Sequence, residues 1–442
     1  MSNPSPGKGS GAGHDSPYLD AAYAFFSHAR FARALSLIII GTAFGTHLLR
    51  SMMGQAGLTT ILTSEALLVG LMLLARRRMV VWSAFIPISL ALFILWCGIT
   101  ITWSWYAPAS FAGWLSQITF AVLALAVAAT RDTIQIIRAL GDVLRVLLGT
   151  SLVLEVIAGV LIDGPIGFLD IKGNLINGLG IQGVFGSRNA LSTIALLALV
   201  TFIIEWRTKS VTLTVSLGSV AGAAVCLVLA SSPVGFTVLI SVAVVAIVLV
   251  SLRRLSPSAR NGAEIVVAVV AGITLILLWI FRNAIVEMMS ASGPLNYRLA
   301  IWQQIWKLGK MHTLEGWGWV GPWPWQYQPF WNMNLASGDI HASGLNAYLD
   351  IWFQTGLVGL VLLIITLGLA FIRSWQLASS KKSEIYLWAP LILATMMISG
   401  LAESTLLFEW GWLVVVIVAA RASRELSWRK KGLTSSWSSG WA

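Results

Sequence analysis

Arg188 and Asn189 sit in the segment GVFGSRNALS (183–192), where a polar stretch gives way to an apolar run continuing to Trp206. A guanidinium beside the free backbone N–H groups of a helix N-terminus binds anions, phosphate above all. The plainer reading is an interfacial arginine meeting lipid headgroups, and both readings stay open at this point. A second polar stretch, residues 284–344, gathers arginine, histidine, glycine and tryptophan between two apolar runs of membrane length. It holds Arg298 and, four residues on and so on the same helical face, Trp302. Running into GVFGSRNALS, residues 178–183 read GLGIQG, which matches the dinucleotide fingerprint letter for letter. No strand pattern precedes it and no βαβ unit surrounds it, so its glycines read as tight turns instead.

The elements that must carry these residues follow from composition. Hydrophobic residues make up 57% of the 442 and charged residues only 11%, which overrides the usual reading of such a length as several soluble domains. Apolar runs of about 18 residues recur, long enough to cross a bilayer as helices. The alternation expected of barrel strands is missing. The sequence predicts an all-α polytopic membrane protein with about twelve spans: 34–49, 58–75, 80–101, 110–129, 138–162, 189–206, 211–231, 235–252, 263–283, 345–372, 385–401 and 403–420. Residues 1–33 read as a polar Gly/Ser/Pro tail leading into an interfacial helix, and 421–442 as a basic tail.

The net charge of +11 is spread in short clusters between apolar runs, not gathered in a nucleic-acid-binding patch. If the spans simply alternate, Arg76 to Arg78, Arg131, Arg138, Arg207, Lys209, Arg253, Arg254, Arg260, Arg373, Lys381, Lys382 and the C-terminal cluster share one side. That side is predicted to be cytoplasmic, with both termini. Residues 163–188 and the long loop 284–344, between spans 9 and 10, then lie outside. The exceptions are Arg50, Arg145, Lys172, Arg188, Arg282, Arg298, Lys307 and Lys310. A membrane-edge arginine is costly unless paired or wet, so each exception needs a reason. Arg145 and Glu155 lie ten residues apart on one span, too far to pair with each other; each is expected to find a partner on another helix. Asp350, inside a span, is expected to pair with an arginine. Cys97 and Cys226 fall in apolar runs and read as packing.

Taken together, GVFGSRNALS, NYRLAIWQQIW (296–306), EGWGWVGPW (315–323) and HASGLNAYLDIWFQTGLVGLVLL (341–363) resemble the O-antigen ligase and polymerase-like family of bacterial membrane glycosyltransferases. The likeness lies in the order: a G-V-F-x-x-[KR]-N-A segment opening a span, R-x-x-x-W in a long outer loop, a G-x-G turn, and N-x-Y-L with G-L-x-G entering the next span. One position departs from it. Family members commonly carry histidine immediately before the last Asn, where this chain has Leu345, and the nearest histidine is His341. If the helix already runs through this stretch, His341 and Leu345 share a face; if Ser343 is the N-cap, His341 lies just outside it.

The resemblance implies a GT-C-like fold and transfer of a glycan from a polyprenyl-pyrophosphate carrier to an acceptor on a glycan, lipid or protein. It implies no cofactor and no metal, and no Asp-x-Asp pair or histidine-rich cluster suggests one. Arg188 and Arg298 would stabilise the departing diphosphate, and His341 would serve as base or orient the acceptor hydroxyl. Arg282, Asn189, Lys172, Trp302, Asn346 and Tyr348 would bind substrate, with membrane lipids around the spans. The loop tryptophans Trp306, Trp317, Trp319, Trp323, Trp325 and Trp331 read mostly as an aromatic belt. Asp163, Asp170, Glu287, Glu315, Asp339 and Glu403 read as partners for arginines. The competing class is a transporter or flippase, but the two halves show no matching pair of interrupted spans. A non-catalytic scaffold would not need the arginine and histidine cluster.

Overall fold

A computed structural model describes residues 17–77, 86–175, 178, 180–281, 296–337 and 340–425. Among these, the chain forms fifteen α-helices and no strand. They are α1 Pro17–Ser27, α2 Ala29–Phe44, α3 Thr46–Ala75, α4 Ile88–Ile99, α5 Ala107–Thr130, α6 Thr133–Val156, α7 Arg188–Arg207, α8 Leu213–Ala230, α9 Pro233–Leu252 and α10 Pro257–Ile280. There follow α11 Asn296–Gly309, α12 Phe330–Ser337, α13 Ala347–Ser380, α14 Trp388–Ser399 and α15 Glu409–Glu425.

A helix lies at each of the twelve predicted spans, yet length and apolarity qualify only seven as membrane-crossing, or eight if a bent pair counts as one. The chain is thus a polytopic membrane protein. Its described spans qualify in smaller number because several helices are short: α4 and α14 have 12 residues each. The expected single interfacial helix before residue 34 is broken instead. His28 is extended, its Nδ1 accepts from the Arg30 N–H at 3.1 Å, and this N-cap ends α1 and starts α2, so residues 29–33 belong to the span that follows.

Depth in the bundle differs sharply between helices. In α7, 78% of the apolar window is buried inside the protein, against 22% in α9, whose Ile240 and Ile247 face outward. A helix apolar all round belongs in the middle of a bundle, so α7 is its axis and its N-terminus opens at one end. At the other end Arg207 and Arg253 each lie 3.4 Å from Glu384, Arg138 bonds the Ser210 carbonyl, Arg260 the Ser379 carbonyl, and Arg421 bonds Thr133 and Glu425. The basic clusters therefore gather at one end, and Arg50, Arg188 and Arg298 at the other. Between the ends, Arg145 pairs with Glu205 of α7 and with Asp142. Glu155 Oε1 accepts the Gln182 and Gly183 N–H groups at 3.0 and 2.8 Å.

The polar stretch is stitched into α13. That helix is interrupted at Gly356, whose φ of 69° only glycine holds without strain. The segment after α11 lies in the break: Trp317 N donates to Phe353 O at 3.0 Å, Gly318 N to Gln354 O at 2.8 Å, and Leu357 N to Thr313 O at 2.9 Å. The Gln354 amide adds bonds from Val320 N and Gly321 N and to Gly321 O. The backbone groups released by the kink are thereby satisfied, as an apolar medium demands. A Cβ at Gly356 would sit 2.0 Å from Leu314 O, which excludes any side chain there.

Candidate functional site

The end of the bundle that carries α7's N-terminus is built by four separate pieces of chain. Ser187 caps α7, accepting from Ala190 N at 3.1 Å, and places Arg188 and Asn189 in the first turn. The preceding turn depends on Gly186, whose φ is 75° and whose missing Cβ leaves room for the His47 ring; a Cβ would lie 2.5 Å from His47 Cε1. From α11 comes Arg298, only 5% exposed. The turn between α14 and α15 supplies Glu403, and the approach to α13 supplies His341 through Leu345.

Glu403 joins them. Its Oε1 accepts from Arg298 at 2.8 Å and from Asn189 Nδ2 at 2.6 Å, and Asn189 Oδ1 accepts from Ser232 Oγ at 2.7 Å. Arg298 also donates to the Leu345 carbonyl, to the Ala402 carbonyl and, through Nε, to Tyr297 Oη at 3.2 Å. Four of its five N–H groups are thus committed within the protein. Burial alone would push its pKa down, but the Glu403 carboxylate and Tyr297 outweigh that and hold it above the ordinary arginine value. His341 stacks on Tyr297, with ring centroids 5.5 Å apart and planes 13° from parallel, while Asn334 holds its backbone N–H at 3.1 Å.

Arg188 is different. It is exposed, and its side chain makes no hydrogen bond or ion pair to another described residue. Beside the network, Arg50 pairs with Glu409, whose other oxygen accepts from Thr46 Oγ1 at 2.8 Å. A cavity of about 200 Å³ lies between the two ion pairs, lined by Ser343, Glu403, Ser404 and Glu409.

Residues 218–364 match the O-antigen ligase family model. The resemblance read from the motifs therefore holds over that stretch. No curated protein matches the chain. The O-antigen ligase match runs from α8 into α13 and includes Arg298, Trp302, His341, Asn346 and Tyr348; Lys172, Arg188, Asn189 and Glu403 lie outside it.

The remaining expected residues divide. Arg282, with Glu287 and Asp339, lies outside the described residues. Lys172 is exposed on the loop whose Asp170 lies 3.8 Å from His47, and it is not among the residues that Glu403 joins. Trp302 packs inward, its indole N–H bound to Gly344 O at 3.0 Å. Asn346, not Ser343, caps α13, accepting from Tyr348 N and Leu349 N, and its amide also donates to Leu401 O. His341 therefore precedes the helix and shares no helical face with Leu345. Tyr348 Oη donates to Met397 O at 2.9 Å. Each of these three residues thus has polar groups engaged within the protein.

Two further expectations are corrected. Asp350 pairs with no arginine among the described residues; it accepts from Trp323 Nε1 and Gln354 Nε2, both at 2.8 Å, and from Gly344 N at 3.0 Å. The loop tryptophans are only partly a belt. Trp306, Trp325 and Trp331 are exposed, whereas Trp319 is buried in the main core of the bundle, and Trp323 is buried and Trp302 and Trp317 half-buried in a core with Ile301, Ile305 and Phe353. Tyr297 and Ser232 were not singled out in the sequence. Tyr297 adjoins Arg298 and could have been flagged by that adjacency; nothing marks Ser232.

Proposed function

We propose that this chain is a membrane glycosyltransferase, a ligase or polymerase of a cell-envelope polysaccharide acting on the extracytoplasmic side. It would take a glycan from a polyprenyl-pyrophosphate carrier and pass it to an acceptor hydroxyl without a metal. The observation that carries this reading is the Glu403 bridge. It draws together Asn189, Arg298 and, through Leu345, the 341–363 segment, which are the motifs whose order resembles the O-antigen ligase family.

In the reaction, the acceptor oxygen forms a bond to the anomeric carbon as the bond from that carbon to the diphosphate oxygen breaks. The electron pair leaves on the diphosphate. Arg188, unpaired at the first turn of α7, meets that charge together with the turn's backbone N–H groups. The acceptor proton passes to His341, whose ring is oriented by Tyr297. Arg298 holds Glu403, and Glu403 fixes Asn189 beside Arg188, so its role is to position the anion site; its fifth N–H remains for substrate.

The test is incubation of purified protein with a polyprenyl-pyrophosphate glycan, an acceptor and EDTA. Release of carrier with glycan on the acceptor is expected, and His341→Ala should lower turnover about 100-fold. Uptake of labelled solute into proteoliposomes with no glycosyl transfer would overturn the reading.

A further inference from the structure

Three arginines meet at the end of the bundle opposite Arg188. Arg33 lies in the second turn of α2, while Arg76 and Arg131 are the residues that close the C-termini of α3 and α5. α5 packs against both of the other helices. Arg131 is half-buried, and burial is the first cause holding its pKa below the ordinary arginine value; repulsion from Arg33 and then Arg76 adds to it. Only Asp132 acts the other way. That carboxylate is already engaged in capping α6, where it accepts from the Gln135 backbone N–H.

Two helices end here and two, α2 and α6, begin here, so their dipoles roughly offset. The side chains then decide the sign, three arginines against one aspartate. Other arginines at this end are matched within the protein: Arg421 has Glu425, and Arg207 and Arg253 share Glu384. Neither Arg33 nor Arg131 makes a side-chain hydrogen bond or ion pair to another described residue. A guanidinium so placed offers its N–H groups to an anion, and a phosphate matches their fork.

The neighbouring surface selects which phosphate. Arg76 Nε donates to Ser27 O at 3.0 Å, which ties the end of α1 to the cluster. α1 carries a single charge in its 11 residues, Asp20, and exposes Tyr18, Tyr23 and Phe25. Phe25 in turn packs on Phe26 and Phe31, with ring centroids 5.3 and 5.2 Å away. A free phosphate would leave this apolar face bare. A phosphate that carries acyl chains covers it, as an aromatic helix in the plane of a membrane surface requires.

We propose that Arg33, Arg76 and Arg131, flanked by the aromatic face of α1, bind the phosphate headgroup of an anionic phospholipid. The site stands whether or not the transferase reading does.

The test is native mass spectrometry of the full chain released from non-ionic detergent, titrated with phosphatidylglycerol and with phosphatidylcholine of the same acyl chains. Phosphatidylglycerol should bind more tightly, and Arg33→Gln and Arg131→Gln should each weaken it about fivefold. Arg254→Gln, which removes an exposed arginine following α9 and outside the cluster, should leave it unchanged. Equal affinity for the two lipids overturns the proposal, as does an equal loss in Arg254→Gln, which would reduce the effect to general surface charge. Undiminished binding in Arg33→Gln and Arg131→Gln overturns it too. In a second arm, inorganic phosphate should not raise the thermal midpoint above that in chloride at equal ionic strength. A rise that Arg131→Gln abolishes, without a lipid preference, would assign the cluster to free phosphate and overturn the lipid site.

Discussion

Arg188, the first residue of α7, and Arg298, the third of α11, have opposite surroundings. Each lies in the first turn, where the helix dipole is positive and a cation is unfavourable. In α11 the cost is offset from within: Arg298 is buried and spends four N–H groups on Glu403, Tyr297 and two carbonyls. In α7 it is not offset, and Arg188 stands exposed with no described partner. The same residue type is a keystone in one place and an exposed, unpaired group in the other. The two are connected, since the carboxylate that satisfies Arg298 also holds Arg188's neighbour Asn189.

The largest expected effect comes from removing the keystone. Arg298→Ala strands Glu403 and two backbone carbonyls in a buried place, which should cost about 3–5 kcal/mol. Both the thermal midpoint in detergent and glycan transfer should collapse; a fully stable variant would show that Arg298 is not the keystone. Next, Arg188→Ala should lower transfer about 100-fold, the cost of losing a donor to developing negative charge, with the thermal midpoint unmoved. Loss of stability there would erase the contrast between the two arginines. Arg188→Lys, which keeps the charge but loses the bidentate fork, should fall between.

The smallest effect concerns the Glu315–His312 contact. The hydrogen bond from His312 at 2.8 Å is the first cause holding the Glu315 carboxyl below the ordinary 4.5. A depressed carboxyl stabilises the folded state above its unfolded pKa and loses that contribution as pH falls through the folded value. Acid titration of the thermal midpoint should show a slight extra loss below pH 4.5 that Glu315→Gln abolishes. Both groups are exposed enough for salt to screen them.

Much of this organisation was legible in the sequence. Apolar runs reported a helix at each expected place because insertion into a bilayer depends on the sum of side-chain hydrophobicity over a run. The displaced polar residues were equally readable: Arg145 and Glu155 each found the partner on another element that burial required. What could not be read was identity of partners across long chain separations. Glu403 lies 105 residues from Arg298, and nothing local distinguishes it from other acidic residues. Asp350 takes Gln354 from one turn further along its own helix and Trp323 from the polar segment that the Gly356 break brings in, and hydropathy does not register such a kink. The tryptophans were misjudged for the same reason: an indole in a polar stretch reads as interfacial until the stretch is seen folded inward around Phe353.

The stitching at Gly356 also sets what can move. The segment 313–321 and the two halves of α13 share one hydrogen-bond ladder, so the segment cannot lift as a lid without exposing amides of the spanning helix to an environment with nothing to receive them. Its amides at Trp317 and Gly318 should exchange with deuterium on the slow timescale of a core helix, although the segment is not helical. Any opening at this end of the bundle then has to come from other segments, with this one held fixed.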